Sequence, residues 1–147
     1  MRINRTNIIR IIFMVYICAV FTLTFIVRET MILRNPDSRG VILIPFREFD
    51  AFLHQPNHRF WFMQIFLNVL MLVPFGFLFP LISERFKSLP LTVFSGFVLS
   101  SSIEIMQYIT GRGVTEIDDV INNTTGAFVG YLMYALVREY MKKREYV

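Results

Sequence analysis

The sequence predicts an all-α membrane protein: a bundle of four transmembrane helices with both termini inside (N-in/C-in) and a structured outer loop between helices 1 and 2. Two observations carry this. Of 147 residues, 54% are hydrophobic and 18% charged, against about 45–50% and about 25% in a soluble domain. The excess falls in four blocks, each of roughly the 20 residues that a helix needs to cross a bilayer. The same numbers exclude a soluble enzyme, a coiled coil and a disordered chain. Residues 1–147 hold one bundle and no second domain, with helices expected at about 8–27, 60–82, 89–108 and 119–137.

The first block is interrupted only by Arg10. Its basic start (Arg2, Arg5, Arg10) would suit a signal peptide. Its length, the lack of a small-x-small cleavage site and the Arg28-Glu29 pair directly after it favour a retained helix. The second block opens at Phe60 with Trp61 placed to anchor it at the interface. The third begins at Leu89, and the turn Thr110-Gly111-Arg112-Gly113 leads towards the fourth. Between the first two lies the longest non-spanning stretch, 28–59. Its apolar middle, 41–46 (VILIPF), is too short and Pro-interrupted to span. It is expected as a re-entrant or interfacial segment that covers the bundle's outer end.

Orientation follows from basic residues in the short loops. With the N-terminus inside, inner segments hold nine Lys and Arg and outer segments six, and every Lys lies at or after Lys87. Seven of the eleven acidic residues fall outside, and the inner loop 83–88 is basic. The positive-inside rule therefore gives N-in and C-in. The net charge of +4 is accounted for in this way, so no nucleic acid is expected as a partner. Cys18 is the single cysteine, which excludes an intrachain disulfide and a thiolate metal cage. His54 and His58 have i, i+4 spacing, but Pro56 between them spoils a helical metal pair. No metal and no cofactor is expected. Nucleotide-binding glycine loops, Ser-His-Asp sets and HExxH are absent.

A membrane penalises polar side chains, so those within the spans are the informative ones. They are Asn68 in the second span, Glu104 and Gln107 in the third, and Asp118, Asp119, Asn122 and Asn123 entering the fourth. At about 1.5 Å per residue, Asn68 lies roughly 4–5 Å outward of the midplane and Glu104 roughly 7–8 Å. All of them therefore lie in the outer half. Glu104 and Gln107 share a face at i, i+3, as do Asp118 and Asn122, and Asp119 and Asn123, at i, i+4. Gly126-x3-Gly130 permits close helix approach, most simply to the third helix. Arg112 could pair with Glu104 or an Asp, or present its fork to a phosphate or carboxylate. The structural alternative is that these groups only bond helix to helix, with Asp118 capping the fourth helix.

The order Asn68-x5-Pro74-Phe75-Gly76-x3-Pro80, Glu104-x2-Gln107, Arg112, Asp118-Asp119-x2-Asn122-Asn123-x2-Gly126-x3-Gly130 resembles the VanZ-like membrane family. Leu43-Ile44-Pro45-Phe46 resembles that family's outer-loop element, with Ile42 where members often carry Asn. The resemblance covers about residues 41–137. It implies a multi-pass protein of the bacterial cytoplasmic membrane and cell envelope, with a role in low-level resistance to teicoplanin, a lipoglycopeptide. It brings no established reaction. Two readings follow. In one, Asn68, Glu104, Gln107, Arg112, Asp119, Asn122 and Asn123 form an outward-facing polar cleft that engages an amphiphile, either a lipoglycopeptide or a lipid-linked wall intermediate. In the other, the protein is a membrane-embedded enzyme acting on a lipid or lipid phosphate. Glu104 would then be general acid or base and Asp118 or Asp119 its partner.

Overall fold

The structure, a computed structural model, describes residues 4–27, 40–111 and 113–145. The first helix, α1, is Arg5–Thr22, extended by a π-helical turn, Leu23–Val27. A two-residue strand β1 (Val41–Ile42) precedes α2 (Arg47–His54) and α3 (His58–Ile82). A 3₁₀ turn, Glu84–Phe86, leads to α4 (Leu89–Thr110), then β2 (Thr115–Glu116) and α5 (Ile117–Glu145).

Local chemistry sets these bounds. Asn4, Asn57 and Ser88 each accept a backbone N–H from the first turn that follows, which relieves the unpaired donors at a helix start. Gly111 closes α4 with a φ of 62°, and its N–H returns to Gln107 and Tyr108 carbonyls. Helix α5 starts two residues earlier than expected and runs past residue 137, because 138–145 are strong helix formers and Lys142 pairs with Glu139 at 3.2 Å.

Three departures from the expectation are structural. The outer loop contains a fifth helix, α2, too short to span. The fold is not purely helical, since β1 pairs with β2 in parallel, Val41 opposite Thr115 and Ile42 opposite Glu116. Finally, among the described residues three helices, Arg5–Phe25, His58–Ile82 and Leu89–Thr110, are long and apolar enough to cross a membrane. At 29 residues and thus about 43 Å, α5 has the length. Its Asp/Asn start and basic end dilute its apolar character.

The glycine seam also differs from the expectation. Gly126 and Gly130 face α3, not α4. A Cβ on Gly126 would fall 1.9 Å from the Val69 carbonyl oxygen, and one on Gly130 2.0 Å from that of Val73. From the other side, a Cβ on Gly76 would lie 2.0 Å from the Ala127 carbonyl oxygen. Helices α3 and α5 therefore run parallel in backbone contact along steps of four residues, where only glycine fits. Helix α4 packs antiparallel on α5, with Gly96 beside Ala127 and Tyr131 Oη donating to the Lys87 carbonyl at 3.0 Å. Helix α1 lies antiparallel on α3. Phe13 meets Phe75 and Phe79, Tyr16 Oη donates to the Met71 carbonyl at 2.5 Å, and Arg10 reaches the Ile82 carbonyl at the end of α3. Leu72, Phe75 and Ala127 form the buried centre. The outcome is that α3 and α5 begin, and α4 ends, at the same end of the bundle.

Candidate functional site

At that shared end the first two turns of α5 distribute four polar side chains over three neighbours. Asp118 accepts the backbone N–H of Phe46 at 2.6 Å and of Glu48 at 2.8 Å. It thus caps α2, a different helix from the one that carries it. This cap is needed because Phe46, at the N-cap of α2, has a left-handed φ of 62° and offers no side-chain acceptor. Asn122, one turn on from Asp118, donates to Glu48 Oε2 at 2.8 Å. Asp119 faces α3 and accepts from Asn68 Nδ2 at 2.5 Å. Asn123 faces α4 and donates to Ser100 Oγ at 2.8 Å. The i, i+4 pairs of the sequence therefore share faces only loosely: 118 and 122 serve α2, while 119 and 123 serve two different helices.

Glu104 and Gln107 form a second centre, joined to the first through β2. Glu104 Oε2 accepts the Glu116 N–H at 3.0 Å, and its backbone carbonyl accepts the Thr115 hydroxyl at 3.0 Å. With the Gln107 amide nitrogen turned towards Glu104, it donates to both carboxylate oxygens at 3.1 and 3.3 Å. Glu116 then binds Arg47 of α2 at 2.6 Å. The Arg47 guanidinium lies over Trp61, 5.9 Å from the ring centroid, and the Trp61 indole N–H donates to Gln55. The described part of the outer loop is fastened by the β1–β2 pair and by the Asp118 cap.

Between α2, α3 and α5 lies a cavity of about 220 Å³, lined by Phe46, Glu48, Phe49, Ile65, Asp118, Ile121, Asn122 and Thr125. Of the residues the sequence singled out, Asp118 and Asn122 line it. Asn68, Glu104, Gln107, Asp119 and Asn123 do not, and Arg112 lies outside the described residues. Its acidic wall is Glu48, which sequence reasoning counted only as an outer-loop charge. Glu48 is 1% exposed. Burial first, and then the neighbouring Asp119, Glu116 and Asp118 charges, raise its carboxyl to about 7. Gln64 lies close enough to oppose that rise, yet Glu48 Oε1 is buried without a hydrogen-bond partner. No pattern in REFDAFLH marked it, since eight residues are too short for periodicity to read. In the folded helix Glu48 and Ala51 at i, i+3 are the buried pair, while Phe49 and Leu53 at i, i+4 are exposed.

The VanZ/LLP1 family model matches residues 13–138. Protein VanZ of Enterococcus faecium is 37% identical over 84 residues, which cover 57% of this chain and 52% of that protein. The chain thus spans about half the length of the curated relative it matches. No solved structure matches it. With a family model covering most of its length, the chain belongs to the VanZ/LLP1 family.

Proposed function

We propose that this protein resides in the bacterial cytoplasmic membrane and lowers susceptibility to teicoplanin by engaging an amphiphile, a lipoglycopeptide or a lipid-linked wall intermediate, at the outer end of the bundle. The observation that carries this reading is the cavity between α2, α3 and α5, polar on its Glu48, Asp118 and Asn122 side and rimmed by exposed Phe46 and Phe49. That is the shape of a site for a molecule with a polar head and an apolar body. In this reading α5 is a fourth crossing. It lies along α3 over its length, the Asp/Asn turn that lowers its apolar character is bonded to other helices, and its middle turns leave Phe128, Val129, Leu132 and Met133 exposed for lipid. With N-in/C-in orientation, the network and the outer loop then face outward. The basic ends of α1 and α5 face the anionic inner leaflet.

Binding is favoured over catalysis by how the carboxyls are held. Glu104 accepts from the Glu116 N–H and the Gln107 amide, Asp118 from two backbone N–H groups, and Asp119 from Asn68. Such bonds position the chain. The test is expression of the wild-type chain and of the Phe46→Ala/Phe49→Ala double variant in a teicoplanin-sensitive bacterium, at matched membrane levels. The wild type should raise the teicoplanin concentration that stops growth by several-fold, and the double variant should lose most of that gain. Equal protection by the two chains, or none by the wild type, refutes the reading.

A further inference from the structure

Among the described residues, Glu48 is the carboxyl of the cavity wall with a buried oxygen that lacks a hydrogen-bond partner. Asp118, beside it, has both oxygens on the α2 backbone. Glu48 Oε2 holds the Asn122 amide, while Oε1 is buried and without a partner. Among the described residues no Lys or Arg lines the cavity, and Arg47, the nearest cation in sequence, pairs with Glu116 and lies over Trp61. A buried acceptor left unmet costs about 1–3 kcal/mol, so a donor that reached it would be strongly held. The ionisable groups lining this wall among the described residues are both acidic, which disfavours a phosphate.

A second feature leads out of the same cavity. Phe49, on its rim, begins a series of aromatic rings that passes to Phe52, then to Phe62 and Phe66 on α3. The centroid steps are 6.5, 6.3 and 5.7 Å. Phe49, Phe62 and Phe66 are exposed, and the series descends from the loop helix along the first turns of the membrane-spanning α3. It is a continuous apolar track from the acidic cavity towards the lipid.

From this arrangement we infer that the cavity and its aromatic track bind an amphiphile with a primary-ammonium head: the N–H donors meet Glu48, and the alkyl chain lies along Phe49, Phe52, Phe62 and Phe66. The inference rests on the reading that this end of the bundle engages an amphiphile, and it names the head group. A primary ammonium supplies three donors, enough for Glu48 Oε1 and a further acceptor of the wall. At about 30 Å³ per water, the 220 Å³ equals roughly seven waters, room for the head and its first methylenes. The aromatic rim adds attraction for the cation.

Trp61 is the single tryptophan and is tied to α2 through Arg47 and Gln55, so its fluorescence reports on this site. The purified full chain in a neutral detergent is titrated with dodecylammonium, dodecyltrimethylammonium and dodecyl phosphate. We expect a saturable change with dodecylammonium, at least 10-fold weaker with the trimethyl analogue, which lacks N–H donors, and none with the phosphate. Glu48→Gln, which keeps an acceptor for Asn122, should weaken dodecylammonium at least 10-fold, and Phe62→Ala/Phe66→Ala should weaken it several-fold. Binding unchanged in Glu48→Gln, binding of dodecyl phosphate as tight as the amine, or no saturable response overturns the inference. The amphiphile reading itself stands or falls separately, on the teicoplanin phenotype of the Phe46/Phe49 variant.

Discussion

Glu48→Gln should make the protein more stable, and by an amount that depends on pH. In the folded chain the Glu48 carboxyl is raised from 4.5 to about 7, first by burial and then by Asp119, Glu116 and Asp118. The sign follows from proton counting. As pH rises from 4.5 towards 7, the unfolded chain releases this proton and the folded chain keeps it, so wild-type stability falls across that window and levels off above it. At about 1.4 kcal/mol per pH unit, the rise corresponds to at most roughly 3 kcal/mol for this buried residue. Glutamine keeps an oxygen for the Asn122 amide and never ionises. Its advantage over glutamate should therefore be close to zero at pH 4 and at most about 3 kcal/mol at pH 8, on the order of 5–10 °C in melting temperature. The assay is thermal unfolding of both chains in the same detergent from pH 4 to pH 8.5. A melting-temperature difference that does not change with pH, or a variant less stable than wild type at pH 8, would refute the argument that Glu48 sits buried without a cation.

Two further substitutions, one with a control, address the frame that holds the cavity. Gly130→Ala places a Cβ 2.0 Å from the Val73 carbonyl oxygen and 2.9 Å from the Phe77 nitrogen. It should part α3 from α5 and cost about 1–3 kcal/mol or more, whereas Gly40→Ala, 3.3 Å from a side-chain methyl of Val114 and clear of any backbone, should cost far less; equal melting temperatures for the two would discredit the parallel seam. Asp118→Ala strands the Phe46 and Glu48 N–H groups and should cost α2 about 2 kcal/mol of local stability. Amide hydrogen exchange over residues 47–51 should then quicken about 30-fold, since each 1.4 kcal/mol is tenfold, with the middle of α3 unaffected; unchanged exchange would mean that the cap is not what holds α2.

Membrane character and three of the helices were legible in the sequence because a bilayer imposes a length and an apolar content that few other structures share. The fourth helix was legible by its polar start, its glycine spacing and its basic end. Its partner was not. Gly126-x3-Gly130 says that something approaches closely, and adjacency in sequence pointed to α4. The carbonyls it meets belong to Val69 and Val73 of α3, since a parallel pair requires the chain to cross the bundle between its members. Helix α2 was hidden for a different reason. An eight-residue helix is too short for periodicity to identify, and it exists here because Asp118, seventy residues away, supplies its cap.

The same distance explains what was and was not read of the site. Glu104, Gln107, Asn68 and the Asp/Asn turn announced themselves because polar groups in a span are expensive and must be satisfied. Most of their polar atoms are found satisfied: Gln107 on Glu104, Glu104 on β2, Asn68 on Asp119 and the Asn123 amide nitrogen on Ser100, while Asn123 Oδ1 is buried without a partner. A group that is fully bonded fixes the frame and offers little to a ligand. Glu48 carries no such signal, because in a loop beside Arg47 and Asp50 a glutamate reads as solvated. Only folding removes it from water, when the Asp118 cap draws the α2 start against α5 and Asn122 takes one of its two oxygens. The polar residues visible in sequence thus assemble the wall that leaves the inconspicuous one unmet, and the unmet acceptor is where recognition chemistry is available.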